Sequence, residues 1–302
     1  MLKSPDDRID LANAKLMIDQ MIDPTIDLAA ATKQLDAMAS ALKSRLPSGA
    51  SSAQKLDALR TFLYEPGAWN EHRPFRYDLD DPFGRIIKNK LLPTYVATRK
   101  GNCVSMPFLF IILGQKIGLD VTAATAPEHI FVKYRDEEGA LHNLETTSGA
   151  GFTSDAWIQK QIAMSPEALA NGIYLRPLTK KQTVVLMAGT LMEFYGQQGQ
   201  QEDRMALAKL ALEYHPSSVE VIMHMHAAYG RMLEQEFQSK YESPRHIPPE
   251  HRARFMELDG GAQQWLRKAE ALGWRPPDEA TDANYQRIVD QAKAAEMKGA
   301  SK

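Results

Sequence analysis

The sequence predicts an α+β fold, in which a buried helix and an antiparallel sheet lie between two helical regions. Residues 108–117 are an almost unbroken apolar run that stops before Gly118, as expected for a helix buried on most sides. The runs 121–126, 129–135 and 141–147 have the composition of strands instead. The regions on both sides show helical periodicity. This order of a helix and then antiparallel strands is typical of the α+β class.

Composition and charge restrict the class of function. The chain has 302 residues, of which 44% are hydrophobic and 25% are charged, as in ordinary globular proteins. Its formal net charge of −2 provides no basic field for a polyanion, so we expect no nucleic-acid partner. A single cysteine excludes an internal disulfide. No signal-peptide pattern and no run of membrane length occurs, so we expect no membrane partner and a cytoplasmic location, or a secreted or periplasmic one if a leader was removed.

The N-terminal region is predicted to contain three helices. Ser4–Asp7 has the form of a helix start, with a cap, a proline and two acidic residues in the first turn. A second helix starts at 25–27, where apolar positions begin to repeat at helical spacing. Ser51 or Ser52 caps the third helix. These helices would lead into the central part of the fold.

A loop and a short helix are predicted between the third helix and the cysteine. The segment 64–82 shows neither period and is therefore predicted to be a loop that covers something. We expect aromatic residues such as Trp69 to pin this loop to the core. A short helix is predicted to open at Asp81-Pro82 and to end at Pro93.

The C-terminal region is predicted to be helical and repetitive. Placing Tyr195 on Tyr229 gives an offset of 34 residues, which is the length of a tetratricopeptide repeat. The second repeat would contain an insertion that holds Pro244, Pro248 and Pro249. Two repeats are too few for an independent solenoid, so they should pack on the preceding domain. We therefore predict two domains, residues 1–178 and residues 179–302.

Cys103 lies at the entrance to the buried helix. Asn102 is a suitable N-cap, but Pro107 disfavours a regular helix that starts so early, so a start near Ser105 is the alternative. Cys103 would then lie on the turn that leads into the helix. The unpaired N–H groups and the positive end of the helix dipole at this position favour a thiolate over a thiol.

A histidine and a carboxylate lie on the predicted hairpin that follows. If Tyr134 pairs with Ala140, His129 is directly opposite Glu145. Opposed residues share one face, with Cβ atoms roughly 4.5 to 5.5 Å apart. Cysteine nucleophiles need such a pair, because the imidazole takes the thiol proton and the acid orients the imidazole.

The motifs GNC, PEHIFVKY and NLETTSG, in this order, resemble the transglutaminase-like superfamily, whose members have a papain-like fold. The order of elements is most similar to that of bacterial members in which tetratricopeptide repeats follow the core. The resemblance implies that Cys103 is the nucleophile, His129 the base and Glu145 the acid, in place of the usual Asp. It also implies that Trp69, on a loop upstream of the nucleophile, and Asn102 contact the substrate.

Two functions are compatible with this pattern. The first is a thiol-dependent acyl-transfer enzyme that hydrolyses or transamidates an amide bond, and the second is a catalytically silent scaffold that binds a protein partner. Retention of the cysteine favours the enzyme, whereas family members without activity favour the scaffold. In both cases the partner or substrate is a protein or peptide. We expect no cofactor and no metal, since His224 and His226 are two residues apart and do not share a helix face.

Overall fold

The computed structural model describes residues 2–276 together with Arg287 and Asp290, so residues 277–286 and the end of the predicted 179–302 domain lie outside the described part. Within it the fold is α+β, as predicted. The α-helices are α1 (Leu11–Ile22), α2 (Leu28–Lys43), α3 (Ser52–Tyr64), α4 (Leu92–Thr98), α5 (Ser105–Lys116), α6 (Asp155–Gln161), α7 (Pro166–Ala170), α8 (Lys180–Gln197), α9 (Gln201–Tyr214), α10 (Val219–Leu233) and α11 (Arg252–Ala271). The strands are β1 (Arg76–Tyr77), β2 (Lys100–Gly101), β3 (Asp120–Ala126), β4 (His129–Arg135), β5 (Leu141–Glu145) and β6 (Gly151–Thr153).

The first predicted helix start is wrong. Helix α1 begins at Leu11, because the Asp10 carboxylate accepts hydrogen bonds from the backbone N–H groups of the first turn. Asp6, expected in the first turn of this helix, instead accepts hydrogen bonds from the backbone N–H groups of Lys180 and Lys181, at 3.1 and 2.8 Å. It therefore caps α8, which lies far away in the sequence.

The prediction for Pro93 is also wrong. The segment before it forms only the 3-10 turn Ile87–Lys90, and Pro93 lies in the first turn of α4 rather than at the end of a helix. A proline fits there because the first N–H groups of a helix have no partner within the helix. The predictions for α2 and α3 are confirmed, with Asp27 and Ser51 as their capping residues.

Helix α5 is the centre of the main core. All its residues from Ser105 to Gly114 are buried. Helices α2, α3 and α4 and the strands β3 and β4 all pack against it. Its start at Ser105 confirms the prediction that the regular helix begins there and that Cys103 lies on the turn before it.

The sheet is antiparallel in the order β3-β4-β5-β6, and β1 and β2 form a separate two-residue parallel pair. In the hairpin of β4 and β5, Arg135 pairs with Leu141 and Tyr134 pairs with His142, so the predicted pairing of Tyr134 with Ala140 is wrong by two residues. The turn explains the shift, because the Asp136 carboxylate accepts a hydrogen bond from the backbone N–H of Ala140 and so closes the loop one residue later. A shift of two residues keeps each side chain on its face.

The helices after Thr179 pack in series, α8 on α9, α9 on α10 and α10 on α11. Helix α8 also packs on α1, and its residues Val184, Leu186 and Met187 belong to the main core. The three prolines of the predicted insertion lie between α10 and α11, in a stretch that contains only 3-10 and π-helical turns. Among the helices of the described residues, none combines the length and apolar character that crossing a membrane requires.

Candidate active site

The turn before α5 presents Cys103 at the surface of the core. The Asn102 side chain is 1% exposed, and its Oδ1 accepts hydrogen bonds from the backbone N–H groups of Val104 and Ser105, at 3.0 and 3.1 Å. The Asn102 carbonyl oxygen also accepts the first helical hydrogen bond, from the N–H of Met106. Asn102 therefore holds the turn before the helix and fixes the backbone on both sides of Cys103, although the helix itself begins at Ser105.

Cys103 itself is half-buried. Its Sγ lies 3.9 Å from the carbonyl oxygen of Glu128, on the tight turn between β3 and β4. Glu128 adopts a φ of 55°, a left-handed conformation that is uncommon outside glycine. The turn ends at His129, the first residue of β4, so the turn brings the histidine next to the cysteine.

His129 and Glu145 are in direct contact. His129 Nε2 lies 2.7 Å from Glu145 Oε2, although the two residues are not directly opposite each other. Val132 pairs with Leu144, and if this register continues, Glu145 is opposite Phe131 and its contact with His129 is diagonal. Diagonal neighbours on one face are roughly 7 to 8 Å apart, a distance that long side chains span. Glutamate, with one methylene more than aspartate, has the reach for this position.

The charge state of His129 depends on its two neighbours. Burial alone would lower the pKa of His129, but hydrogen bonds to Cys103 and Glu145, together with their negative charges, raise it to about 10. Burial likewise opposes ionisation of Glu145, yet its hydrogen bond and charge interaction with His129 hold the pKa of this carboxyl below its usual value. The imidazole is therefore favoured in its protonated form.

A second set of contacts fixes the carboxylate. Glu145 Oε1 accepts hydrogen bonds from the backbone N–H of Thr147 at 3.0 Å and from its hydroxyl at 2.6 Å. The side chain of Glu145 is only 12% exposed. Both oxygens are thus engaged, one by Thr147 and the other by His129, so the carboxylate has little freedom to rotate.

Cys103 and His129 line a cavity of about 470 Å³. One wall comes from the core and includes Thr125, Glu128 and Tyr174. The other wall comes from the helices after Thr179. Its polar residues are Arg204, His215, Ser218, Glu220, His224 and Arg275. The cavity therefore lies between the core and the helical region, with the cysteine at its core side.

The other two predicted site residues do not line this cavity. Trp69 lies on the loop after α3, where its Nε1–H donates a hydrogen bond to the carbonyl oxygen of Phe62 at 3.2 Å. The Arg45 guanidinium lies 3.9 Å above the centre of its ring. Trp69 therefore anchors its loop to the core, as its aromatic character predicts. Asn102 acts through the backbone at Cys103 and not through a contact with the cavity.

The polar wall of the cavity is not predicted from the sequence. The sequence brings His224 to attention only as a neighbour of His226 for a metal site, and it predicts no role for Arg204. The two histidines indeed point to different helices, since His224 Nδ1 contacts Arg204 on α9 and His226 Nδ1 contacts the Ala262 carbonyl oxygen on α11. The lining of this wall depends on how α8 to α11 pack on the core, which no local pattern in the sequence reports.

Comparison with known proteins agrees with the arrangement of the core. A family model described as the transglutaminase-like superfamily matches residues 29–188, which is more than half of the chain. The matched segment contains α5, the strands β3 to β6 and the three residues Cys103, His129 and Glu145. No curated protein and no solved structure matches the chain. The chain belongs to the transglutaminase-like superfamily.

Proposed function

We propose that the protein is a thiol-dependent acyl-transfer enzyme that hydrolyses or transamidates an amide bond. The observation that carries the proposal is the position of His129, which contacts Glu145 at 2.7 Å and lines the same cavity as Cys103. The thiolate is the reactive form of a cysteine, and an adjacent imidazolium favours it. The helix entrance at Ser105 adds a positive dipole end near the sulfur.

The two ring nitrogens of His129 have separate roles in this proposal. Nε2 is bound to Glu145, so Nδ1 is the nitrogen that faces the reaction. The Cys103 thiolate attacks the carbonyl carbon of the amide, and the imidazolium gives its proton to the leaving amine. Water or a second amine then attacks the thioester, gives a proton to the imidazole and releases Cys103 as a thiolate. Glu145 keeps the ring in one orientation and stabilises its positive charge through both steps.

The oxyanion that forms during this attack needs hydrogen-bond donors. Among the described residues, none accepts a hydrogen bond from the backbone N–H of Cys103. This N–H lies on the turn that Asn102 holds in place, next to the attacking sulfur. We assign it as one donor to the oxyanion, a position in which a preformed backbone dipole lowers the barrier.

The helical region is part of the same proposal. We assign residues 179–302 to a tetratricopeptide-like domain, supported by the serial packing of α8 to α11 and by the 34-residue offset between Tyr195 and Tyr229. This domain supplies one wall of the cavity, so it would contribute to the choice of a protein or peptide substrate.

The test is the alkylation rate of Cys103 by iodoacetamide, measured by mass spectrometry of the intact protein. The chain has one cysteine, so each modification reports on this residue. At pH 6.5 we expect His129→Ala to react at least about tenfold more slowly than wild type, because the thiolate loses its imidazolium partner.

His142→Ala is the matched control. His142 lies on the neighbouring strand β5 and contacts Asp136 at 2.6 Å, away from the cysteine. Its replacement should leave the rate unchanged. Equal rates for wild type and His129→Ala would contradict the proposal and leave the partner-binding scaffold as the better explanation.

A further inference from the structure

The helical wall of the cavity, opposite Cys103, contains an arginine that is half-buried and has no carboxylate in contact with it among the described residues. Arg204, on α9, is half-buried and lines the cavity. Its guanidinium lies against Gly196 of α8, where a Cβ atom would be only 3.0 Å from Nη1. A side chain at residue 196 would therefore crowd the guanidinium. The two helices thus hold Arg204 close to the backbone of α8.

The protein uses only part of the hydrogen-bonding capacity of Arg204. Nε and Nη2 contact His224 Nδ1 at 3.2 and 2.7 Å, and Nη1 contacts Gln201 Oε1 at 3.4 Å. A guanidinium has five N–H donors, so one N–H on each terminal nitrogen is left over after these contacts. His224 must accept through Nδ1, which requires the neutral tautomer with the proton on Nε2.

The charge of Arg204 also lacks a direct partner. No carboxylate of the described residues lies within 4.0 Å of its guanidinium. Arg275, the other arginine of the same wall, lies 3.8 Å from the Glu167 carboxylate. A half-buried guanidinium that contacts only neutral groups is costly unless an anion completes its environment.

The charge of Glu193 favours the ionised form of Arg204, but no ion pair of the described residues joins the two side chains. Glu193 lies 2.5 Å from the Lys90 ammonium group and is therefore paired. Glu220 is exposed to solvent, but the protein that surrounds its carboxyl, together with the negative charge of Glu193, raises the pKa of this carboxyl to about 7. Glu128 lies at the cysteine side, next to Cys103.

We propose that Arg204 is the subsite for a free carboxylate of the substrate, so that the enzyme acts on small amides or peptides that carry such a carboxylate near the scissile bond. The planar fork of a guanidinium binds a carboxylate through two parallel N–H bonds, and Arg204 keeps one N–H on each terminal nitrogen for such a ligand. His224 and Gln201 act as positioning residues that hold the fork. The inference rests on the proposed function of Cys103, and it adds the substrate class.

Matched alkylating probes test this inference without an assay of turnover. The probes are N-iodoacetyl-glycine and N-iodoacetyl-glycinamide, with the corresponding pairs built on β-alanine and 4-aminobutyrate. Within each pair only the charge of the terminal group differs, and all of them react at Cys103. For the length that spans the cavity, we expect wild type to react about tenfold faster with the carboxylate than with the amide. Arg204→Met should reduce this ratio to about one or below.

Arg73→Met is the control for a change in overall charge. Arg73 lies on the loop after α3, its side chain is 66% exposed, and it does not line the cavity. This variant should keep the preference for the carboxylate probe. Arg204→Lys, which retains the charge but not the fork, should show an intermediate ratio.

Two results would overturn the inference. The first is a wild-type protein that reacts equally with carboxylate and amide at every length, a result that does not depend on the folding of any variant. The second is an Arg204→Met protein, folded by circular dichroism, that keeps the preference. Both differ from a failure of the proposed function, which would appear as an iodoacetamide rate that does not depend on His129.

Discussion

Two histidines belong to the same cavity and have opposite charge states. His129, at the core wall, has anionic neighbours in Cys103 and Glu145, which raise its pKa to about 10 against the effect of burial. His224, at the helical wall, has a pKa that burial lowers to about 3, with further lowering by the positive charges of Arg204 and Lys90. Both rings are enclosed by protein, so burial does not distinguish them. The charges of their neighbours do.

This difference separates proton transfer from binding. A histidine held in the protonated form stabilises a thiolate and has a proton to give to a leaving group. A histidine held neutral accepts a hydrogen bond from a guanidinium and leaves the positive charge of that group available. Residue type alone therefore does not assign a role to a histidine in a cavity, whereas the sign of the nearest charge does.

The largest expected effect is the separation of the two pKa values. In a proton NMR titration we expect His129 to stay protonated beyond pH 8 and His224 to stay neutral down to about pH 4. The variants His129→Gln and His224→Gln each remove the NMR signal of one histidine ring and so assign the two signals. Cys103→Ala should lower the pKa of His129, because one anionic neighbour is lost, and Arg204→Met should raise that of His224. Two similar titration curves with midpoints near pH 6.5 would contradict the predicted difference between the two pKa values.

The next effect concerns stability in acid. The pKa of Glu145 is lower in the folded protein than in the unfolded chain, so its stabilising contribution is present above about pH 4.3 and is lost as the pH falls through the folded value. Glu145→Gln should therefore reduce the free energy of unfolding by about 2 kcal/mol at pH 6 and by much less at pH 3. Urea denaturation at the two pH values measures this. A loss that is the same at both values would show that the carboxylate charge does not contribute.

The length of the acidic side chain is expected to affect reactivity. At pH 6.5 we expect Glu145→Gln to slow alkylation of Cys103 by iodoacetamide about tenfold, since the amide no longer stabilises the imidazolium. Glu145→Asp should slow it by only about threefold, because the charge stays and a water molecule can bridge the roughly 1.5 Å that is lost. The reverse order of the two variants would mean that reach matters more than charge in this diagonal contact.

The smallest effect is at the helical wall. The raised pKa of Glu220 means that its carboxyl stabilises the fold fully below about pH 4.3 and does so less as the pH rises through about 7. Glu220→Gln should consequently become more stable relative to wild type between pH 5 and pH 8. We expect a change of about 1 kcal/mol, less than the pKa shift alone implies, because the carboxyl is still reached by water. Thermal unfolding of both proteins at the two pH values would measure this change. A difference in stability between Glu220→Gln and wild type that is the same at pH 5 and pH 8 would contradict the raised pKa of Glu220.

The core could be predicted from the sequence because its determinants are local. The capping side chain of Asn102 and the restriction at Pro107 are enough to locate the start of α5 and to place Cys103 on the turn before it. The register of the hairpin was missed by two residues because it depends on a hydrogen bond within the turn, from Ala140 to Asp136. The prediction that His129 and Glu145 share a face of the sheet is still correct, because only a shift by an odd number of residues would place them on opposite faces.

The helical wall of the cavity could not be predicted in the same way. Arg204 and His224 are twenty residues apart on different helices, and their contact with the cavity depends on the docking of these helices against the core. Gly196 was a possible signal, because a glycine inside a helix indicates close packing, but it does not name the side chain that fills the space.

The capping of α8 by Asp6 has a consequence for synthesis on the ribosome. Asp6 is made among the first residues, yet the N–H groups that it caps belong to residues 174 and 175 positions later. A chain grows from its N-terminus, so the segment before α1 stays without these partners until the whole core has been made. Once α8 has been made, the hydrogen bonds from Lys180 and Lys181 to Asp6 join the start of the chain to this helix. A release of the chain before residue 180 would leave Asp6 without its partners and the helical wall of the cavity unmade.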